Sequence, residues 1–258
     1  MDFEQNNRMP WEDKKSPMFR EWILGNASKD PQDWDINFRR YVDILVVERK
    51  KIVAERIAEG GVEKTDQKIF EDYLEKLDLK EKNLRDKTIL DLGCFDGVFI
   101  RTCLDRNLTQ EAYGMDRELR GEAEDETYED NFYKADFHKG IPIQNVDLVI
   151  LRKTLHLLLQ EESNLESTVE TLAKILDVLS PSGEIRIAPS VRTLLGKYTD
   201  NQGKFNRAME RLAEIKNIKY EFVPVGVRAL ERIDIGNAEK RVVMLDSVLV
   251  IKNNTEAE

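Results

Sequence analysis

Five short apolar runs between Thr88 and Ala188 constrain the fold of this chain more than any other feature. Thr88 to Leu92, Ala112 to Met115, Phe132 to Ala135, Val146 to Leu151 and Glu184 to Ala188 all have strand length, and helical patterns fit between several of them. The clearest helical pattern runs from Ser163 to Leu179. Ser163 and Glu166 form an S-x-x-E capping box, Leu165, Val169, Leu172, Leu176 and Leu179 build an apolar stripe, and Pro181 with Gly183 supplies the stop. Such alternation predicts a Rossmann-like, doubly wound α/β fold: a mainly parallel sheet with helices on both faces.

The flanks differ from this middle. Up to Pro31 the sequence is turn-rich and polar, yet it carries Trp11, Phe19 and Trp22, with Trp34 and Phe38 just beyond. These aromatics either anchor an N-terminal arm or wall a pocket. Asp35 to Glu59 and Asp66 to Leu77 have apolar residues at helical intervals, and Gly60-Gly61 makes a stop for the first. Residues 1–84 are therefore expected to form an arm and helical extension that covers a substrate, and residues 85–258 the sheet domain. After a helix from Lys204 to Ile215, "KYEFVPVGV" and "RVVMLDSVLVIKN" predict an antiparallel hairpin, which brings the sheet to seven strands.

Charge narrows the partners. A formal net charge of -10 opposes polyanions, so nucleic acid is disfavoured, and the basic cluster Lys80, Lys82, Arg85 and Lys87 reads as a solvated edge. Cys94 and Cys103 match no disulfide framework, no apolar run reaches membrane-spanning length, and the N-terminal residues have no signal-peptide core. A soluble cytoplasmic protein without membrane contact is expected, with its oligomeric state left open.

The chemistry-bearing stretch is "TILDLGCFDGVFI", Thr88 to Ile100. Gly93 and Gly97 follow the first strand, where bare backbone approaches a ligand closely and a helix N-terminus offers partial positive charge. A dinucleotide turn has G-x-G-x-x-G for a pyrophosphate, but the spacing here is D-x-G-x-x-x-G, and Asp91 repels phosphate at close range. The expected ligand is cationic or zwitterionic.

"LDLGCFDGVF" resembles the first motif of the class I S-adenosylmethionine-dependent methyltransferases, with Phe95 where family members often have a further glycine. "YGMD", "YKADFHKGIP", "VDLVILRKTLHLL" and "LSPSGEIRIAP" extend the resemblance in order over roughly residues 85 to 252. It implies S-adenosyl-L-methionine as cofactor, with S-adenosyl-L-homocysteine as product. It also implies donor contacts from Asp91, Gly93, Cys94, Gly97, Asp116, Asp136, Phe137 and Leu151. In that reading Asp116 accepts from both ribose hydroxyls, Asp136 from the adenine amino group, and Phe137 lies beside the ring.

His156 is the candidate general base, the alternative being a histidine that packs in or caps an apolar helix. Arg152 and Lys153 are candidates for holding an anionic group on the acceptor, unless they only pair with nearby acids, and Arg186 and Arg192 are candidates to add to such a site. The absence of N/D-P-P-Y/F and of a Pro-Cys nucleophile weighs against base methylation, and no metal is expected. The expected activity is methyl transfer by in-line displacement to an oxygen or nitrogen of a small molecule. The alternatives are a noncatalytic cofactor-binding scaffold or subunit, and a methyltransferase of RNA or protein.

Overall fold

A computed structural model describes residues 17–27, 33–58, 65–124, 126–152, 154, 165–188, 192–194, 200–233 and 239–254. The chain divides into two compact units, one of Met1–Val62, Arg192–Thr199 and Pro224–Asp246, the other of Glu63–Val191, Asp200–Val223 and Ser247–Glu258.

In the first unit, helix α1 spans Pro17–Ala27 and α2 spans Ile36–Ala58. The α1 stretch reads in sequence as a polar, turn-rich arm, and the structure corrects that. Pro17 is the first helical residue, where its missing N–H costs nothing, and Phe19 and Ile23 fall on one face four residues apart. They pack with Trp34, Phe38, Tyr41, Val42 and Val46 in a buried cluster. Asp35 caps α2: its Oδ1 accepts from Phe38 N at 2.8 Å and its Oδ2 from Trp22 Nε1 at 3.1 Å. Trp11 lies outside the described residues.

The second unit holds α3 (Asp66–Lys76), β1 (Ile89–Leu92), α4 (Val98–Asp105), β2 (Ala112–Asp116), β3 (Phe132–Lys134), β4 (Val146–Arg152), α5 (Leu165–Asp177), β5 (Leu179–Ala188) and α6 (Asp200–Ile215). Strands β1 to β5 lie in the order β3-β2-β1-β4-β5, all parallel. From β1 the chain builds outward to β3, then returns to β4 on the other side of β1. This reversal puts the crossover helices on opposite faces and makes the fold Rossmann-like and doubly wound. Strands β7 (Ile218–Ile233) and β8 (Glu239–Asn253) pair with each other, and β8 runs antiparallel to β5. Asn254 N donates to Asn217 O at 2.8 Å, closing the open end of this hairpin. A strand not expected from the sequence, β6 (Arg192–Leu194), pairs with Met244–Asp246 and makes the sheet eight-stranded. Three residues are too short a run for periodicity to register.

Side chains alternate across the sheet, so its two faces separate cleanly. Leu90, Leu92, Met115, Val149, Leu151, Ile185 and Ile187 form one face, buried against Val169, Leu172, Leu176, Met209 and Leu212 of α5 and α6. In-register partners on the other face include Asp91, Gly114 and Ile150, with Arg152 and Asp116 at the strand ends. Helices α3 and α4 belong to this side. Phe70 and Tyr73 of α3 stack on Phe99 of α4, with centroids 5.4 and 4.7 Å away, each contact worth about 0.5–1.5 kcal/mol beyond its burial. Arginines fasten α3 further. Arg101 bonds Asp66 at 3.3 Å, and Arg186 Nη1 donates to the helix-end carbonyls of Leu77 at 2.7 Å and Asp78 at 2.9 Å. That second contact satisfies carbonyls a helix C-terminus would otherwise leave open.

Candidate functional site

The end of β1 is shaped by three backbones in the left-handed region. Gly93 has φ +79°, Phe95 φ +56° and Gly97 φ +68°. Space as well as conformation demands the glycines. A Cβ on Gly93 would lie 2.3 Å from Thr154 Oγ1, and one on Gly97 would lie 2.4 Å from the Phe132 ring. Gly93 N donates to Met115 O at 2.8 Å, fixing the turn to β2, and Gly97 caps α4. Thr154 Oγ1 sits 3.1 Å from Leu92 O and 3.2 Å from Arg152 O, so it ties the ends of β1 and β4 together.

Asp91 and Asp116 stand on one face at the ends of neighbouring strands. Asp116 Oδ2 accepts from Phe95 N at 3.0 Å and Oδ1 from Glu118 N at 2.9 Å. A carboxylate offers about four lone-pair sites, so two remain for a ligand. The Phe95 N–H is thus already committed. In a phosphate-binding turn such amides point at the anion, whereas here an acid of the chain itself takes that place.

Asp91 is fully buried, and among the described residues neither of its oxygens meets a hydrogen-bond donor. Burial pushes its carboxyl up from the ordinary 3.8 to about 7. The Tyr73 hydroxyl, close but short of hydrogen-bond geometry, and the Arg152 charge pull it back, while Asp116 and Asp96 add repulsion. Tyr73 in turn is pushed well above its usual range, first by burial and then by Asp91. Arg152 lies over the Tyr73 ring, 4.3 Å from its centroid, and pairs with Asp72. Tyr73, Arg152 and Asp72 therefore roof the buried acid. Helical spacing exposed Tyr73 as an apolar-face residue, but nothing in the sequence placed its hydroxyl near Asp91.

The remaining candidates spread out. Cys94 is buried with its thiol pushed up by that burial, and its Sγ borders Gly114. Asp136 begins the turn after β3: Oδ1 accepts from His138 N at 3.1 Å and lies 2.7 Å from the His138 ring. Burial alone would raise Asp136, but those bonds and the charges of His138 and Arg117 hold it below the usual carboxylate range. Phe137 is buried in the α5/α6-side core and stacks on His138 at 4.5 Å. Leu151 is fully buried on that same side, away from Asp91. Arg186 is engaged with α3 and with Glu184 at 2.6 Å. Lys153, His156 and the Ser163 cap lie outside the described residues, as does the side chain of Arg192.

Among the described residues, no helix is long and apolar enough to cross a membrane. No protein-family model and no curated protein matches the sequence. Many solved structures do match. One is the mitomycin 7-O-methyltransferase, at 13% identity and TM-score 0.43, covering 72% of this chain; the chain spans only about half, 54%, of that enzyme. A TehB-like S-adenosylmethionine-dependent methyltransferase from Corynebacterium glutamicum matches at 17% identity and TM-score 0.40, covering 80% of this chain and 97% of its own. An S-adenosylmethionine-dependent O-methyltransferase from Thermotoga maritima matches at 13% identity and TM-score 0.39, covering 79% and 72%. At identities this low the grounds for an activity lie in the residues of the site itself.

Proposed function

We propose that this chain is an S-adenosylmethionine-dependent methyltransferase of the class I kind, acting on an oxygen or nitrogen of a small molecule. The observation that carries the reading is the pair of acids, Asp91 and Asp116, on one sheet face at the ends of adjacent strands, with the intervening turn's Phe95 amide already bonded to Asp116. Two acids beside a turn without a free amide at Phe95 oppose a pyrophosphate. They suit a sugar diol next to a cation.

The residues present fit such a ligand. Asp116 keeps lone pairs for ribose hydroxyls, and the field of ionised Asp91 favours an ammonium or sulfonium near the Gly93 turn, whose own residue adds no side chain. S-adenosylmethionine, when bound, supplies the electrophilic methyl group. The chain's part is to bind and orient, and well-placed reactants gain roughly 7 to 11 kcal/mol from positioning alone. His156 remains the proposed general base, with Lys153 and Arg152 proposed for the acceptor. Arg152 must leave Asp72 to serve in that role.

Titration calorimetry with S-adenosylhomocysteine tests the donor site. The wild type should bind, and Asp116→Asn, which retains an acceptor for Phe95 N but no charge, should bind at least about tenfold more weakly. Folded wild type that binds none defeats the reading. Incubation with labelled donor and a cell extract split into metabolite, RNA and protein fractions should then label the metabolite fraction. Tight binding with label in no fraction would favour a scaffold, and label in RNA or protein would move the acceptor class.

A further inference from the structure

We infer that Phe95 is a ligand-contacting residue, an apolar platform for the sugar of the bound nucleoside, held in place by Arg120. This rests on the donor-site reading above. Phe95 is a large apolar side chain that is 50% exposed, on a backbone with φ +56°, a region that bulky side chains rarely adopt. Its main chain is pinned on both sides, with N donating to Asp116 Oδ2 at 3.0 Å and O accepting from Arg120 N at 3.2 Å. These bonds hold the residue in its unfavourable conformation and set the root of the ring beside the Asp116 carboxylate. The Arg120 guanidinium lies over the ring, 5.0 Å from its centroid, and is itself paired with Glu118 at 2.9 Å. A cation so placed covers one face of the ring and steadies it, leaving the rest of its surface to solvent or a ligand.

The fold gains little from this arrangement. The residue is half exposed, and glycine would hold the same turn without left-handed strain. Strain kept at the rim of a binding site, where surrounding bonds enforce it, marks a position that acts on a ligand. The chemistry agrees. A ribose presents hydroxyls on one edge and C–H groups on its faces. Asp116 accepts from the edge, and an aromatic surface two residues after Gly93 suits the face.

The test sets stability against affinity. Phe95→Gly should melt close to the wild-type temperature, because relief of the left-handed backbone offsets the lost side-chain contacts and the freer unfolded chain, yet bind S-adenosylhomocysteine and adenosine about tenfold more weakly. Phe95→Tyr should bind like wild type, and Phe95→Asn, whose side chain tolerates this conformation, should repeat the loss if the glycine variant fails to fold. A structural role alone predicts no such split. Wild-type affinity in folded Phe95→Gly or Phe95→Asn overturns the inference and leaves the donor-site reading standing. Absence of binding by the wild type removes both.

Discussion

Replacing Asp91 by asparagine should stabilise the unliganded protein, and by an amount that depends on pH. Burial raises the carboxyl from 3.8 in the unfolded chain to about 7 in the fold. A carboxyl raised in the fold is the reverse of the usual paired acid: stability falls as pH rises through the window from 3.8 to about 7, and the penalty is complete above it. At about 1.4 kcal/mol per pH unit, the buried charge costs about 4 kcal/mol at pH 8 and about 2 kcal/mol at pH 5. Asparagine fills nearly the same volume and carries no charge at any pH. Tyr73, Arg152, Asp116, Asp96 and the Cys94 thiol surround the site in both proteins, so subtracting the two stability curves isolates residue 91. Thermal unfolding from pH 5 to 8 provides the assay. With about 2–4 °C per kcal/mol for a domain of this size, the variant should lead by on the order of 10 °C at pH 8, with the lead shrinking by about half at pH 5. A constant difference across that range, or a variant less stable than wild type at pH 8, would refute the argument, since it would mean that Asp91 is ionised in the fold at no cost.

Affinity for S-adenosylhomocysteine, measured by calorimetry, should fall by up to about tenfold per pH unit as pH drops below about 7, because the ligand's ammonium is drawn to the ionised form of Asp91; Asp91→Asn should bind weakly with no such slope. Gly93→Ala should lower stability by more than about 2 kcal/mol in urea unfolding, from left-handed strain and from a Cβ that displaces the Thr154 hydroxyl from Leu92 O. Arg186→Met should cost about 1–3 kcal/mol by stripping the donor from the Leu77 and Asp78 carbonyls, and hydrogen exchange should show the last turn of α3 losing protection first.

Much of the sheet domain was legible because its signals are local. Strand β1 was expected over Thr88 to Leu92 and runs Ile89–Leu92; β4 was expected over Val146 to Leu151 and runs Val146–Arg152. The apolar stripe of α5 predicted its burial against the sheet, since period and packing face coincide. The α1 helix was hidden by polar neighbours, although Pro17 at a first-turn position and the Phe19/Ile23 spacing carried the signal. Phe95 stood out in sequence only as a missing glycine, and its positive φ gives that departure a physical content. The roof over Asp91 was out of reach. Asp72 and Tyr73 are about twenty residues upstream of it and Arg152 some sixty downstream, and only tertiary contact brings them together. The two-faced division of the sheet was implicit in the alternation, and it explains why Leu151 belongs to the apolar core while its neighbour Arg152 turns toward α3.

Strands β7 and β8 each begin in one compact unit and end in the other, and the backbone passes between the units five times. No single stretch of the gene therefore encodes either unit whole. A clone starting at Glu63 would remove Met1–Val62 while retaining Arg192–Thr199 and Pro224–Asp246, which belong to the same unit. Point substitutions in the 258-residue chain, rather than truncations, are the sound way to dissect this protein.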